Sequence, residues 1–412
     1  MKTFLWCCML LAAAIARADD TAPADCGKNH FILDDPAACW QDTGALHVPR
    51  AGHTATLLLD GRVLVAGGAE EAGSSAEIYD PSTGRWTLAA SLHVARTGHS
   101  AIRLADGRVL ALGGHTTFVS GVYTIDDTGE IYDPASDSWS TVPGPLTPRD
   151  DFSATLLKDG RVLVVGGYGY DDGLASCELY DPATGQWTDT GSLLRPVPRR
   201  WAPVGMRAWA HTTTLLADGR VLVAGGFASD ELMNAVSLAD VYDPATGLWT
   251  AHDMSVARGY HTATLLADGR VMVTGGNWRT CDGGPGCLDN LLMTTEIFDP
   301  PTNSWAAGPP LLAPHESYTA TLLGDGSLLL VGGTRNNRGT PYFTTLLGEV
   351  DALPASGAPW TSAPPLRTPR IGQTTTLLAD GSVLVVGGCG NFPSWTPLAS
   401  AEIYRPPHAS TP

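Results

Sequence analysis

Four histidines stand at one recurring place in this chain. His53, His99, His211 and His261 each lie seven residues before the aspartate of an Asp-Gly dipeptide. Neutral imidazole ligates transition metals and moves protons near neutral pH, so a ring of such residues could bind a metal or carry acid–base chemistry. Tyr260 stands beside His261, and with His211 it completes the candidate metal set Tyr260, His261 and His211. A single metal needs ligands at ~2 Å, and donors spread around a ring do not converge that closely. The expectation is therefore no tight metal and no cofactor, with each imidazole bonding a neighbouring backbone group as part of a repeated phrase, Arg-x-Gly-His-Thr. Phe152, Tyr318 and Gln373 fill the same position elsewhere. The chain offers no Ser-His-Asp set, no P-loop and no paired carboxylates at a telling spacing.

The elements that must hold these residues are written in the spacing. Asp-Gly recurs at Asp60, Asp106, Asp159, Asp218, Asp268, Asp325 and Asp380, and a Gly-Gly pair begins seven residues after each aspartate. Apolar runs such as Arg62-Val63-Leu64-Val65-Ala66 lie between, and β-prone runs such as Thr54-Ala55-Thr56-Leu57 lie before. Two such runs joined by Asp-Gly predict a hairpin, which makes the aspartates turn residues rather than calcium ligands. A third run ends at Tyr79, Tyr132, Tyr180, Tyr242 or Phe298, and a tryptophan follows seven residues later at Trp86, Trp139, Trp187, Trp249 or Trp305. Repeats of 46–59 residues with this content signal stacked four-stranded blades. The pattern over residues 38–405 resembles the kelch family, which implies an all-β, seven-bladed propeller.

The seventh repeat ends at Glu402-Ile403-Tyr404 without its tryptophan strand. Trp40 precedes Arg50 by ten residues, the interval that separates Trp86 from Arg96, Trp139 from Arg149 and Trp360 from Arg370. The segment around Trp40 is therefore expected to supply the fourth strand of the last blade and close the ring, removing free sheet edges. Arg50, Arg96, Arg149, Arg258 and Arg370 are expected to pair with Glu77, Glu130, Glu178, Glu296 and Glu402 within their blades. Blade six is degenerate, with Glu349-Val350-Asp351 where Glu-Ile-Tyr is expected.

Connection lengths place the candidate site. The long connections run between strands two and three, with one more, Leu194 to Met206, between blades three and four. All emerge on the face where strand one begins, and function on a rigid scaffold gathers on long loops. The candidate ligand-binding face comprises His53, His99, Asp151, His211, Tyr260, His261, Tyr318 and Gln373 with Trp209 and Trp278. Its aromatics beside small polar groups suit a glycan or a protein ligand. The fifth repeat also resembles the copper-ligand repeat of the galactose oxidase and glyoxal oxidase propellers, by which Tyr260 and His261 would hold copper. The rest of that site has no counterpart here, because the position of Tyr260 is Gly52, Gly98, Asp151, Ala210, Ser317 and Gly372 in the other repeats.

The ends and the bulk numbers set the compartment. Met1-Lys2-Thr3, an apolar run from Phe4 to Ile15 and Ala16-Arg17-Ala18 have the order of a secretory signal peptide cleaved after Ala18. That reading divides the chain into a signal at 1–18, a tail at 19–37, the propeller at 38–405 and a tail at 406–412. Cleavage leaves 23 basic against 42 acidic residues, a charge of −19, which disfavours nucleic acid as a partner. No later run is long enough for a membrane helix, which needs ~20 apolar residues. An oxidising compartment permits Cys281–Cys287 and Cys26–Cys39 disulfides, while Cys177 and Cys389 have no evident mates. The function expected is a secreted, extracellular or periplasmic, non-catalytic binding protein. The alternative is a galactose oxidase-like oxidoreductase, or another metal enzyme, at the histidine ring.

Overall fold

The computed structural model describes residues 38–68, 72–115, 124–169, 173–194, 210–227, 235–280, 288–336, 344–391 and 394–406. Seven four-stranded antiparallel sheets stand around a channel. In blade one the order from the channel outward is Thr54–Leu57, Val63–Ala66, Ala76–Asp80, Arg85–Ala89. The Asp-Gly turns behave as their chemistry requires. Asp60 Oδ1 accepts from Arg62 N at 3.0 Å while Gly61 takes φ 86°, a backbone angle that favours glycine.

Burial follows position in the blade. The second strands, Val63–Ala66, Val109–Leu112, Val162–Val165, Val221–Ala224, Val271–Thr274, Leu328–Val331 and Val383–Val386, are buried on both faces. That explains why they read as unbroken apolar runs: each is sandwiched between adjacent blades. Leu64, Ala66 and Ile78 of blade one, for example, pack on Val109, Ala111, Tyr132 and Trp139 of blade two. The innermost strands touch their neighbours all the way round, Thr54–Leu57 meeting Thr374–Leu377 to complete the circle.

Closure is made by the N-terminal strand, as the tryptophan–arginine interval predicts. Cys39–Asp42 pairs antiparallel with Ala401–Arg405, setting Trp40 opposite Tyr404. Trp40 is fully buried, its ring 5.2 Å from that of Tyr404, and its Nε1 donates to Pro364 O at 2.6 Å.

Each of five blades is pinned by a buried arginine. Arg50 Nη1 donates to Gly67 O (3.0 Å) and Ser75 O (3.2 Å), and its Nη2 meets Glu77 Oε1 at 2.7 Å. Arg96–Glu130, Arg149–Glu178, Arg258–Glu296 and Arg370–Glu402 repeat the arrangement, every guanidinium shut away from solvent. The second glutamate oxygen is used as well: Glu77 Oε2 accepts from His47 N at 2.8 Å. A buried charge survives when most of the polar atoms around it are satisfied, and in these pins both terminal guanidinium nitrogens are engaged, while Arg50 Nε and Arg258 Nε are buried without a hydrogen bond.

Blade six departs from the sequence expectation in register. Leu330 faces Asp351 and Leu328 faces Leu353, where blade one has Val65 facing Glu77 and Val63 facing Tyr79. Asp351, not Glu349, thus occupies the glutamate slot, and Leu353 takes the tyrosine place. The ladder fixes this because strand residues alternate faces, so a two-residue shift keeps the apolar face inward. Three of the long connections also carry extra two-stranded ribbons: Asn277–Thr280 with Leu288–Leu291, Thr334–Asn336 with Thr344–Leu346, and Cys389–Gly390 with Thr396–Pro397.

Candidate functional site

Seven side chains from the start of the innermost strands form the ring, and each is turned toward the preceding blade. His53 Nε2 lies 3.0 Å from Thr374 Oγ1, His99 Nε2 2.9 Å from Thr54 Oγ1, His211 Nε2 2.6 Å from Ser153 Oγ and His261 Nε2 3.1 Å from Thr212 Oγ1. Tyr318 OH donates to Thr274 O at 2.6 Å and Gln373 Nε2 to Val331 O at 2.9 Å. In place of the backbone groups expected, the Nε2 atoms of the histidines thus meet hydroxyls of the preceding blade. Hydroxyls open all seven innermost strands (Thr54, Ser100, Ser153, Thr212, Thr262, Thr319 and Thr374), where the alternation turns them into the seam.

The first glycine of each Gly-Gly pair accommodates this stitch. A Cβ on Gly67 would stand 2.7 Å from His99 Cε1, on Gly113 2.6 Å from Phe152 Cε1, on Gly225 2.5 Å from His261 Cε1 and on Gly387 2.8 Å from His53 Cε1. Burial, helped by the neighbouring Arg50, Arg96 and Arg258 respectively, depresses the basicity of His53, His99 and His261 to about 3, so these imidazoles are neutral. Among the described residues no three His, Cys, Asp or Glu side chains gather as a metal would require. His261 is spent in the seam between blades four and five, while Tyr260 packs against Phe227 with ring centroids 5.3 Å apart. These donors do not fit a copper centre.

One residue before each ring position lies the rim of the channel. All seven rim residues take left-handed backbone: Gly52, Gly98, Asp151, Ala210, Tyr260, Ser317 and Gly372, with φ between 49° and 67°. Glycine adopts this freely, whereas a residue with a Cβ is strained by ~1–2 kcal/mol. The side chains are not scattered. Blades three to six carry them, and blades seven, one and two carry glycine.

The populated arc combines acid, aromatic and amide groups. Asp151 reaches over blade two, where a Cβ on Gly98 would lie 3.3 Å from its Oδ1 and 3.6 Å from His115 Cε1. His115 Nδ1 stands 3.2 Å from Asp150 Oδ2. Burial and the adjacent Asp150 charge push the Asp151 carboxyl up to about 7, with His115 acting in the opposite direction. At the other end, Asn277 is buried, and its Nδ2 donates to Glu316 Oε2 at 2.5 Å. Next to it Trp278 is 45% exposed. Beneath the rim, the channel encloses about 440 Å³ lined by Thr212, Thr213, Thr262, Thr319, Thr374 and Thr375 among others.

Of the residues singled out from sequence, Asp151 and Tyr260 lie on the rim and Trp278 on the first of the extra ribbons. His53, His99, His211, His261, Tyr318 and Gln373 lie in the seams. Trp209, Cys26, Cys281, Cys287 and the signal and tail segments at 1–37 and 407–412 lie outside the described residues. Cys177 is a buried free thiol whose burial lifts its pKa to about 12, and Cys389 is buried as well. The His115–Asp150 pair, Ser317 and the Asn277–Glu316 pair escaped the sequence reading. For Ser317 the signal was present, since it is the rim position of its repeat. For the pairs there was none, because contacts between blades have no sequence spacing.

The fold and its seams define a seven-bladed β-propeller, and its first three blades match kelch motifs. A kelch-motif family model matches residues 49–93, 96–146 and 153–194, the first three blades. Among curated proteins, an F-box/kelch-repeat protein of Arabidopsis thaliana is 38% identical over 119 residues, which is 29% of this chain and 28% of that protein. A kelch-like protein of Danio rerio is 27% identical over 224 residues, 53% of this chain and 33% of its own length. The chain thus spans a third or less of these relatives. Among solved structures, a fungal alcohol oxidase of the AA5 family in complex with copper superposes with a TM-score of 0.66 at 19% identity, covering 90% of this chain and 77% of the oxidase. The structure of YjhT superposes with a TM-score of 0.57 at 15% identity, covering 77% of this chain and 98% of that one. These likenesses are likenesses of fold.

Proposed function

We propose that this propeller is an exported, non-catalytic binding module that takes a protein or glycan ligand on the rim of blades three to six. The observation that carries the reading is the one-sided rim: Asp151, Ala210, Tyr260 and Ser317 hold left-handed backbone that glycine would adopt without strain. All four are half-buried at the mouth of the channel, and strain retained at such a cluster points to function rather than folding. The flanking groups suit recognition, since Tyr260 and Trp278 offer aromatic surface and Asp151 and Glu316 offer acceptors. Kelch motifs are in general protein-interaction repeats, which favours a protein ligand. The reading involves no cofactor. Export is supported by the signal-like order of residues 1–18 and by the disulfide at Cys39, for which Cys26 is the proposed mate. Among the described residues no helix is long and apolar enough to cross a membrane.

The test couples binding to stability. Purified protein is screened against a glycan array and a displayed-peptide library, and hits are remeasured with D151G and Y260G. Binding should fall at least tenfold in both variants. D151G should be unchanged or raised in stability by ~1 kcal/mol, because glycine accepts the rim backbone freely. Hits whose affinity neither variant alters would remove the rim from the reading. Copper-dependent alcohol oxidation lost in H261A and Y260F would replace it with the oxidase alternative.

A further inference from the structure

Blade six lacks the arginine pin. The residue ten after Trp305, the tryptophan of blade five, is His315, which stands in blade six where Arg50, Arg96, Arg149, Arg258 and Arg370 stand in five other blades. His315 is 2% exposed. Its Nε2 has two partners of opposite kind: Glu349 Oε2 at 3.1 Å and Arg335 Nη2 at 3.0 Å. Arg335 comes from the ribbon Thr334–Asn336 on the long-loop face and also donates to Glu349 Oε2 at 2.6 Å.

One ring nitrogen cannot serve both partners in one protonation state. A neutral imidazole with a bare Nε2 accepts from Arg335. An imidazolium can only donate, so it turns to Glu349 and sets a like charge 3.0 Å from the guanidinium. Five blades use a cation that never loses its proton, whereas histidine exchanges one within the physiological range. We infer that His315 is a proton-operated latch for the blade-six ribbon, holding Arg335 when neutral and releasing it when charged. This rests on the reading of the long-loop face as the binding face, and it names a regulation of that face.

The surroundings favour a two-state response. Asp351 faces His315 from the third strand, Glu349 from the residue just before that strand and Arg335 from the ribbon, and the Tyr318 ring lies 6.2 Å away. Blade five approaches through backbone, Gly276 N donating to His315 O at 3.2 Å. Within its own segment the neighbour is Glu316, which is engaged with Asn277. The His315 contact holds the Glu349 carboxyl below its ordinary range, so it stays an acceptor. Burial lifts that of Asp351, whose Oδ2 is buried and unpartnered. The latch also sits two residues before rim residue Ser317, so the ribbon and the rim share one anchor.

Amide hydrogen exchange reads the latch without any ligand. Corrected for intrinsic rates, protection of the amides of Thr334–Asn336 and Thr344–Leu346 should fall about tenfold from pH 8 to pH 5.5, the worth of one such hydrogen bond. H315Q, which can accept from Arg335 at every pH, should show no step, and R335Q should show low protection without a step. A step of equal size in H315Q, or a flat wild type, would overturn the latch and leave the binding reading untouched. If H315Q does not fold, the midpoint of the wild-type step must match the titration of the His315 ring proton by NMR. Mismatched midpoints overturn the latch too.

Discussion

The buried imidazoles of His53, His99 and His261 bind a proton in the folded protein only near pH 3, while an unfolded chain takes one up near ~6.5. Between those values the unfolded state holds more protons, so stability is complete above ~6.5 and is lost progressively as pH falls toward 3. Gln373 shows how the protein itself avoids this, donating to Val331 O from the same ring position. H99Q should therefore flatten the loss of stability between pH 6.5 and 4, measured as the denaturant midpoint against pH. A slope unchanged from wild type would mean that His99 does not carry the linkage. Asp151 behaves oppositely. Its carboxyl is lifted to about 7, so the folded state holds its proton longer and that contribution is lost as pH rises through 7. The advantage of D151G should accordingly be larger at pH 8 than at pH 4.

At the scale of the element, the seam places a second demand on a glycine whose backbone already favours that residue. Gly225 takes φ 62°, and a Cβ there would stand 2.4 Å from Arg258 O and 2.5 Å from His261 Cε1 of the next blade. Gly185, in an outer turn, takes φ 70° with nothing within 4 Å. G185A should then cost only the backbone strain, ~1 kcal/mol. G225A should cost at least twice that, since neither neighbour can move without opening the seam, within the ~1–3 kcal/mol typical of severe single-residue strain plus repacking. Equal midpoint shifts for the two variants would show that the imidazole stitch is loose. The turn residues, the Gly-Gly ends and the arginine–glutamate pins were legible in the sequence because each is set by local spacing. The register of blade six was not: Glu349 and Asp351 are both acidic, and only pairing against Leu330 chooses between them.

For the whole molecule, stability hangs on a closed ring. The strand Cys39–Asp42 is the outermost of blade seven, and its one large apolar anchor is Trp40, buried beside Tyr404. W40A should cost ~3–5 kcal/mol, the range for truncating a buried tryptophan. Trp187 occupies the same place in blade three but is only half-buried, and W187A should cost clearly less. Both are read from urea unfolding followed by circular dichroism. If W40A unfolds at the wild-type urea concentration, the closing strand contributes nothing to the ring.

By itself the sequence determined the repeat, the number of blades, the closure at Trp40 and the face with the long connections. These follow from turn chemistry, strand alternation and counting, all of which act between residues close in the chain or at a fixed interval. Only the tertiary structure decided what the histidines do. Whether His261 reaches toward Tyr260 or toward Thr212 depends on the angle at which blade five meets blade four, and no spacing within a repeat encodes that angle. The same holds for His315, whose two partners come from the residue before a strand and from a ribbon, 34 and 20 residues away. Side chains that join one blade to the next take their roles from packing, and packing is written in the fold.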